Sequence, residues 1–195
     1  QGAITFPLLK RHGRLTVIEF DRDLITPLSE AAHPLGELTI VHKDVLKVDF
    51  DKLAGEGRIR LVGNLPYNIS TPLLFHLAQY AEQVRDMHFM LQKEVVERMV
   101  ATPGGAEYGR LSVMLQYRFA MELLFIVPPD AFDPAPKVES AIVRMIPLPA
   151  TALTARDTEM FARVVSIAFG QRRKMLRNTL RDLVDEEQLV ALGIT

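Results

Sequence analysis

Three short apolar runs, spaced by helical or looped segments, constrain this chain more than any other feature. Leu15-Thr16-Val17-Ile18-Glu19, Leu38-Thr39-Ile40-Val41-His42 and Ile59-Arg60-Leu61-Val62-Gly63-Asn64 are rich in β-branched residues and close on polar ones, the pattern of strands buried in a parallel sheet. Asp21 to Leu35 reads as a helix between the first two. Thr71 to Ala81 reads as another after the third, with Ser70 or Thr71 as its cap and Pro72 in its first turn. Val84 to Leu91 is predicted to be a strand, Lys93 to Ala101 a helix and Thr102 to Gly105 a loop, while Leu111 to Phe119 reads as helix or strand, with helix favoured in its first half. Phe119 to Val127 and Ser140 to Ile146 are the last two strands. The proline-rich stretch Pro128 to Pro136 joins them without a helix, which predicts an antiparallel edge. From Asp157 the pattern is helical. The expected fold is therefore α/β, a Rossmann-like sheet followed by a small all-α domain.

A chain of 195 residues suits one such domain with an appendage, and the expected division is 1–148 and 149–195. No segment approaches the ~20 consecutive apolar residues of a membrane span, and no secretory signal pattern opens the chain. The absence of cysteine excludes disulfides, cysteine-bound zinc and a thiol nucleophile, and fits a cytoplasmic setting. His12, His33, His42, His76 and His88 show no metal-ligand spacing, so no metal is expected. Residues 1–136 carry 14 Lys/Arg against 17 Asp/Glu and residues 137–195 nine against seven, so the net charge near zero conceals a basic C-terminal part. Arg172, Arg173, Lys174, Arg177 and Arg181 fall within 170–181 with no acid among them. Arg173, Arg177 and Arg181 recur every four residues and are predicted to form one stripe on a helix, either a solvated face or a contact for RNA phosphates.

The strand ends carry the chemistry. Asn64-Leu65-Pro66-Tyr67 follows the third strand. Methylating an exocyclic adenine nitrogen requires its delocalised lone pair to be localised, which acceptors aimed at both N–H bonds achieve. An Asn oxygen and a backbone carbonyl beside a proline, which brings no competing donor, supply them. The tyrosine offers a face on which an extruded base stacks. The alternative is a plain turn. Glu19 stands about 17 residues after Gly2, where nucleotide-binding folds place an acid for ribose hydroxyls; otherwise it is a solvated strand end beside Arg22. Asp44 is either a loop cap or an acceptor for the cofactor's adenine amine. Phe132 is either a core plug or a ring facing Tyr67 across a flipped base. Gln1 to Thr5 looks like the end of a glycine-rich turn entering a helix with no strand before it, so the sequence is expected to begin partway through a first cofactor motif and to stop before a closing C-terminal element.

With those residues in view, the chain resembles the ribosomal RNA adenine N6-dimethyltransferases, the KsgA family. The resemblance lies in Leu15 to Leu24, Gly63 to Pro72, Gln92 to Val95 with Tyr108 to Val113, Pro134 to Ala141, and Arg172 to Asn178. It implies an S-adenosylmethionine-dependent methyltransferase domain and a helical RNA-binding domain. The implied reaction is dimethylation of two adjacent adenosines near the 3′ end of 16S-type small-subunit rRNA, with the assembling small subunit as partner and the protein a monomer. By position, Gly2, Glu19, Asp44 and Asn64 would bind the cofactor; Asn64, Leu65, Pro66 and Tyr67 would hold the amine, with Phe132 completing the stack. A non-catalytic assembly factor, a large-subunit rRNA methyltransferase and a DNA adenine methyltransferase are the competing readings.

Overall fold

The computed structural model describes residues 2–171 and 174–194. By their internal contacts they fall into two units, Gln1–Ile59 with Asn68–Gln83, and Arg60–Tyr67 with Val84–Thr195.

In the first unit, α1 (Thr5–His12) ends at Gly13, whose φ of +76° turns the chain and lets its N–H bond Leu9 O at 2.7 Å. The chain then enters β1 (Arg14–Glu19), which pairs in parallel with β2 (Glu37–His42), Leu15 opposite Leu38 and Val17 opposite Ile40. Between them lies α2 (Arg22–Ala32), capped by Asp21, whose Oδ1 accepts from Asp23 N at 2.9 Å. Gly36 opens β2 at φ +152°, and a Cβ there would stand 2.5 Å from Gly13 O. The unit continues with α3 (Phe50–Ala54) and α4 (Ser70–Ala78). Its core holds Leu9, Val48, Phe50, Leu73, Leu74 and Leu77. Phe50, His76 and Tyr80 meet edge-on at 5.1 to 5.8 Å, and His76 Nε2 lies 2.9 Å from Val48 O. Neither Ser70 nor Thr71 caps α4, contrary to expectation. The cap is Ile69, without a side-chain bond, because Ser70 lies inside the first turn with its side chain buried.

The second unit holds a four-stranded sheet of β3 (Ile59–Asn64), β4 (Val84–Gln92), β6 (Ser140–Pro147) and β5 (Phe119–Val127), in the order β3-β4-β6-β5. The expected antiparallel pair is present: β5 is the outer strand and β6 runs antiparallel to both neighbours. One face of the sheet alternates inward Met87, Phe89 and Leu91 with Ala141, Val143 and Met145. Helices α5 (Lys93–Val100) and α6 (Arg110–Gln116) cover it with Val96, Met99, Leu111 and Leu115. Gln116 ties the two helices by donating to Met99 O and Ala101 O, each at 2.8 Å. The β1–β2 pair forms a separate sheet from these four strands.

After β6 come α7 (Thr158–Gly170), α8 (Leu176–Leu180) and α9 (Glu186–Ala191). Asp157 Oδ1 caps α7 by accepting from Glu159 N and Met160 N, each at 2.9 Å. Phe161 tilts against Tyr117, the C-cap of α6, at 4.5 Å, and Tyr117 Oη accepts from Ala155 N at 2.8 Å. Phe169 meets Tyr108 edge-on at 6.2 Å.

Candidate functional site

The alternation of β3 aims Leu61 and Gly63 inward and leaves Arg60, Val62 and Asn64 exposed. Gly63 leaves room for the next inward side chain: a Cβ there would stand 3.3 Å from Leu65 Cδ2. Leu65 is buried and its N–H donates to Met90 O at 3.1 Å, so pairing with β4 runs one residue past the strand. Pro66 then breaks the ladder, since it has no N–H to give. Asn64 and Pro66 stay exposed, and Tyr67 keeps 40 % of its surface open while its Oη lies 3.0 Å from Ser140 Oγ.

A cavity of about 290 Å³, open to solvent, is lined by Asn64, Leu65, Pro66 and Tyr67 together with Phe132, Pro134 and Pro136 from the β5–β6 loop. Phe132 is half-buried and lines this cavity instead of plugging the core. An apolar wall, an aromatic face and one amide with backbone carbonyls suit a flat, hydrogen-bonding base.

Gly2, Glu19 and Asp44 lie in the first unit. Gly2 has φ +71°, and a Cβ there would stand 2.3 Å from the Phe6 ring, so a side chain at this position would be strained and would displace that ring. Glu19 ends β1 half-buried; its Oε1 accepts from Asp21 N at 2.8 Å, and its other oxygen takes no hydrogen bond from the described residues. Asp44, two residues beyond the end of β2, uses Oδ1 to accept from Leu46 N at 3.0 Å, and its Oδ2 stands 4.0 Å from Lys47 Nζ. Two carboxylates at the C-terminal ends of adjacent parallel strands, each with an oxygen not taken by a capping bond, fit a ligand that offers hydroxyl and amine donors.

The basic segment is described only in part. α7 ends at Gly170, and α8 begins at Leu176 after an extended Met175, so of the predicted stripe the described residues show only Arg177 and Arg181. Lys174 N donates to Gln171 O at 2.9 Å. Arg177 lies in α8 and Arg181 caps its end, 3.7 Å from Asp182 with both side chains largely exposed. Arg172 and Arg173 lie outside the described residues. Sequence reasoning also missed Ser140, Glu139 and Lys93. Lys93 Nζ donates to Glu139 Oε2 at 2.7 Å, and Lys93 N donates to Glu139 O at 3.0 Å. The hydrogen bond to that carboxylate, with its charge, raises the Lys93 pKa above the ordinary lysine value. The Pro134–Ala141 and Gln92–Val95 segments supported the family resemblance, yet no periodicity pairs positions 46 residues apart.

The ribosomal RNA adenine dimethylase family matches residues 1–195. The chain belongs to that family. Among its relatives, the ribosomal RNA small subunit methyltransferase A of Xanthomonas oryzae pv. oryzae strain PXO99A is 63 % identical over 194 residues, which cover 100 % of this chain and 74 % of the relative. Its counterpart from Xanthomonas campestris pv. campestris strain B100 is 59 % identical with the same coverage. The crystal structure of a dimethyladenosine transferase from Plasmodium falciparum superposes with a TM-score of 0.79 at 27 % identity, covering 98 % of this chain and 67 % of that one. The 23S rRNA methyltransferase ErmE shares the fold, with a TM-score of 0.76 at 23 % identity over 97 % of this chain and 75 % of that one. The chain is thus an S-adenosylmethionine-dependent methyltransferase of Rossmann-like α/β fold.

Proposed function

We propose that this chain dimethylates N6 of two adjacent adenosines near the 3′ end of 16S-type small-subunit rRNA, with the assembling small ribosomal subunit as its partner, and that it works in the cytoplasm as a monomer. The observation that carries the reading is the placement of Asn64, Pro66, Tyr67 and Phe132 around one open cavity. The small-subunit names of the 59–63 % identical relatives support the choice of RNA.

A target base leaves its stack, at a cost of a few kcal/mol, and enters between Tyr67 and Phe132, where stacking contributes roughly 1–3 kcal/mol. The Asn64 amide oxygen and a turn carbonyl accept the two N6 hydrogens, drawing the lone pair out of the ring and stabilising the positive charge that develops on nitrogen. S-adenosylmethionine, when bound, supplies an electrophilic methyl group. Glu19 would take ribose hydroxyls, Asp44 an adenine amine, and Gly2 the close backbone approach; the family resemblance adds Asn64 to that set. The nitrogen sheds its proton readily once alkylated, so no dedicated base is assigned. Residues 1–148 would carry the chemistry and 149–195 the RNA contact, through Lys174, Arg177 and Arg181 with Arg172 and Arg173.

The test incubates the protein and labelled cofactor with small-subunit particles lacking the modification, followed by nucleoside mass spectrometry. The expected product is N6,N6-dimethyladenosine in small-subunit rRNA, with Asn64→Ala slowing transfer about 10²–10³-fold while particle binding persists. Undiminished transfer by Asn64→Ala, or transfer confined to large-subunit rRNA or duplex DNA, would overturn the reading. Particle binding without any cofactor binding in calorimetry would favour the assembly factor.

A further inference from the structure

Both walls of the base cavity are anchored at one dipeptide. Tyr67, on the turn after β3, reaches Ser140 Oγ with its hydroxyl at 3.0 Å. Ser140 is 1 % exposed and is paired on both sides, with Gln92 of β4 and Val127 of β5, so it is among the most constrained positions in the sheet. The residue before it, Glu139, closes the loop that carries Phe132, Pro134 and Pro136, and it is held twice by Lys93, once through the backbone and once through the ammonium. Lys93 in turn directly follows β4, whose Met90 O accepts from Leu65 N. The bonds form a closed circuit: Leu65 to β4, β4 to Lys93, Lys93 to Glu139, Ser140 to Tyr67, and back along the chain to Leu65.

We propose that Glu139-Ser140 is a positioning element that fixes the orientation of Tyr67 and the gap between it and Phe132, and so sets how well the clamp holds a base that must be accepted twice, first unmethylated and then carrying one methyl group. The proposal rests on the dimethylation reading. Stacking depends on ring separation and tilt, and the bond to Ser140 at the far edge of the half-open Tyr67 ring bears directly on its tilt. Ser140 and Glu139 touch neither base nor cofactor; they act through Tyr67 and through the loop. The second substrate is bulkier at N6 than the first, so a clamp with a loosened wall loses most at the second transfer. The predicted signature is a shift from dimethyl toward monomethyl product, which general loss of stability would not produce.

The test uses the full-length protein with two readouts. An RNA stem-loop bearing 2-aminopurine at the target position reports extrusion and stacking without cofactor, and nucleoside mass spectrometry reports the mono- to dimethyl ratio on small-subunit particles. Ser140→Ala is expected to keep RNA affinity within twofold, to lose half or more of the fluorescence change, and to raise the monomethyl share severalfold. Ser140→Thr keeps the hydroxyl and should retain both. Tyr67→Phe should match Ser140→Ala, and the double variant should be no worse than either single one, because all three remove the same bond. Glu139→Gln should move the ratio the same way. Wild-type stacking and product ratio in Ser140→Ala, or additive effects in the double variant, would overturn the proposal. A wild-type protein that neither extrudes the base nor methylates it would instead overturn the dimethylation reading, and this inference with it.

Discussion

At Gly36 the backbone permits no side chain. Its φ of +152° and the 2.5 Å approach of a Cβ to Gly13 O mean that Gly36→Ala strains the α1–β1 and β2 junctions by roughly 1–3 kcal/mol. The melting temperature should fall by several degrees, at about 2–4 °C per kcal/mol for a chain of this size; an unchanged melting curve would show that the Gly13 backbone yields. Lys93 offers a prediction in pH. Its pKa is raised by Glu139, so the contribution of the pair is whole below the unfolded lysine value of about 10.4 and is lost as pH rises through the higher folded value. The stability difference between wild type and Lys93→Met should therefore hold steady through neutral pH and shrink only above the ordinary lysine range. A difference that vanished at neutral pH would contradict the charged hydrogen bond. That Asn64, Tyr67 and Phe132 meet at one cavity could be anticipated because an amide, an aromatic ring and a rigid proline-rich loop stand out in the sequence. The place of Ser140 could not, because a serine at a strand start has no signature until its partner, 73 residues away, is placed beside it.

At the scale of elements, strands and helices were read well where period and composition agreed. β1, β2 and β3 fall where expected, since β-branched runs act locally, whereas Leu111 to Phe119, which read as helix or strand, is helical up to Gln116. The α4 cap was misread because burial took Ser70 away from capping. Capping of α7 can be tested directly. Asp157 satisfies two orphan N–H groups, so Asp157→Ala should cost about 0.5–2 kcal/mol, read as a lower denaturation midpoint, while Asp157→Asn should recover most of it. Equal midpoints for Ala and Asp would show that the helix end is held by its packing instead. For α8, Arg177→Ala should reduce the slope of log binding constant against log salt by about 0.7–0.9 if the side chain neutralises one phosphate. An unchanged slope would remove it from the RNA contact.

For the whole molecule, protection is unevenly distributed. No residue of β1 or β2 is fully buried, whereas β4 and β6 alternate buried residues along their length. Native-state hydrogen exchange should therefore find the slowest amides between Met87 and Leu91 and between Ala141 and Met145, with Val17 and Ile40 exchanging measurably faster. The reverse order would mean that the β1–β2 pair is a cooperative part of the core. Strand order was the least legible feature at this scale. The placement of β6 between β4 and β5 follows from long-range pairing, which a reading of consecutive segments does not encode.

The contacts of Tyr117 with Phe161 and of Tyr108 with Phe169 bear on how such proteins can be recombined. The helical tail of this chain, transplanted onto a relative, brings Phe161 and Phe169 but leaves behind the two tyrosines they meet. The natural unit of exchange therefore starts before α6, near Tyr108, and a chimera cut at the end of β6 would inherit a tail without its socket.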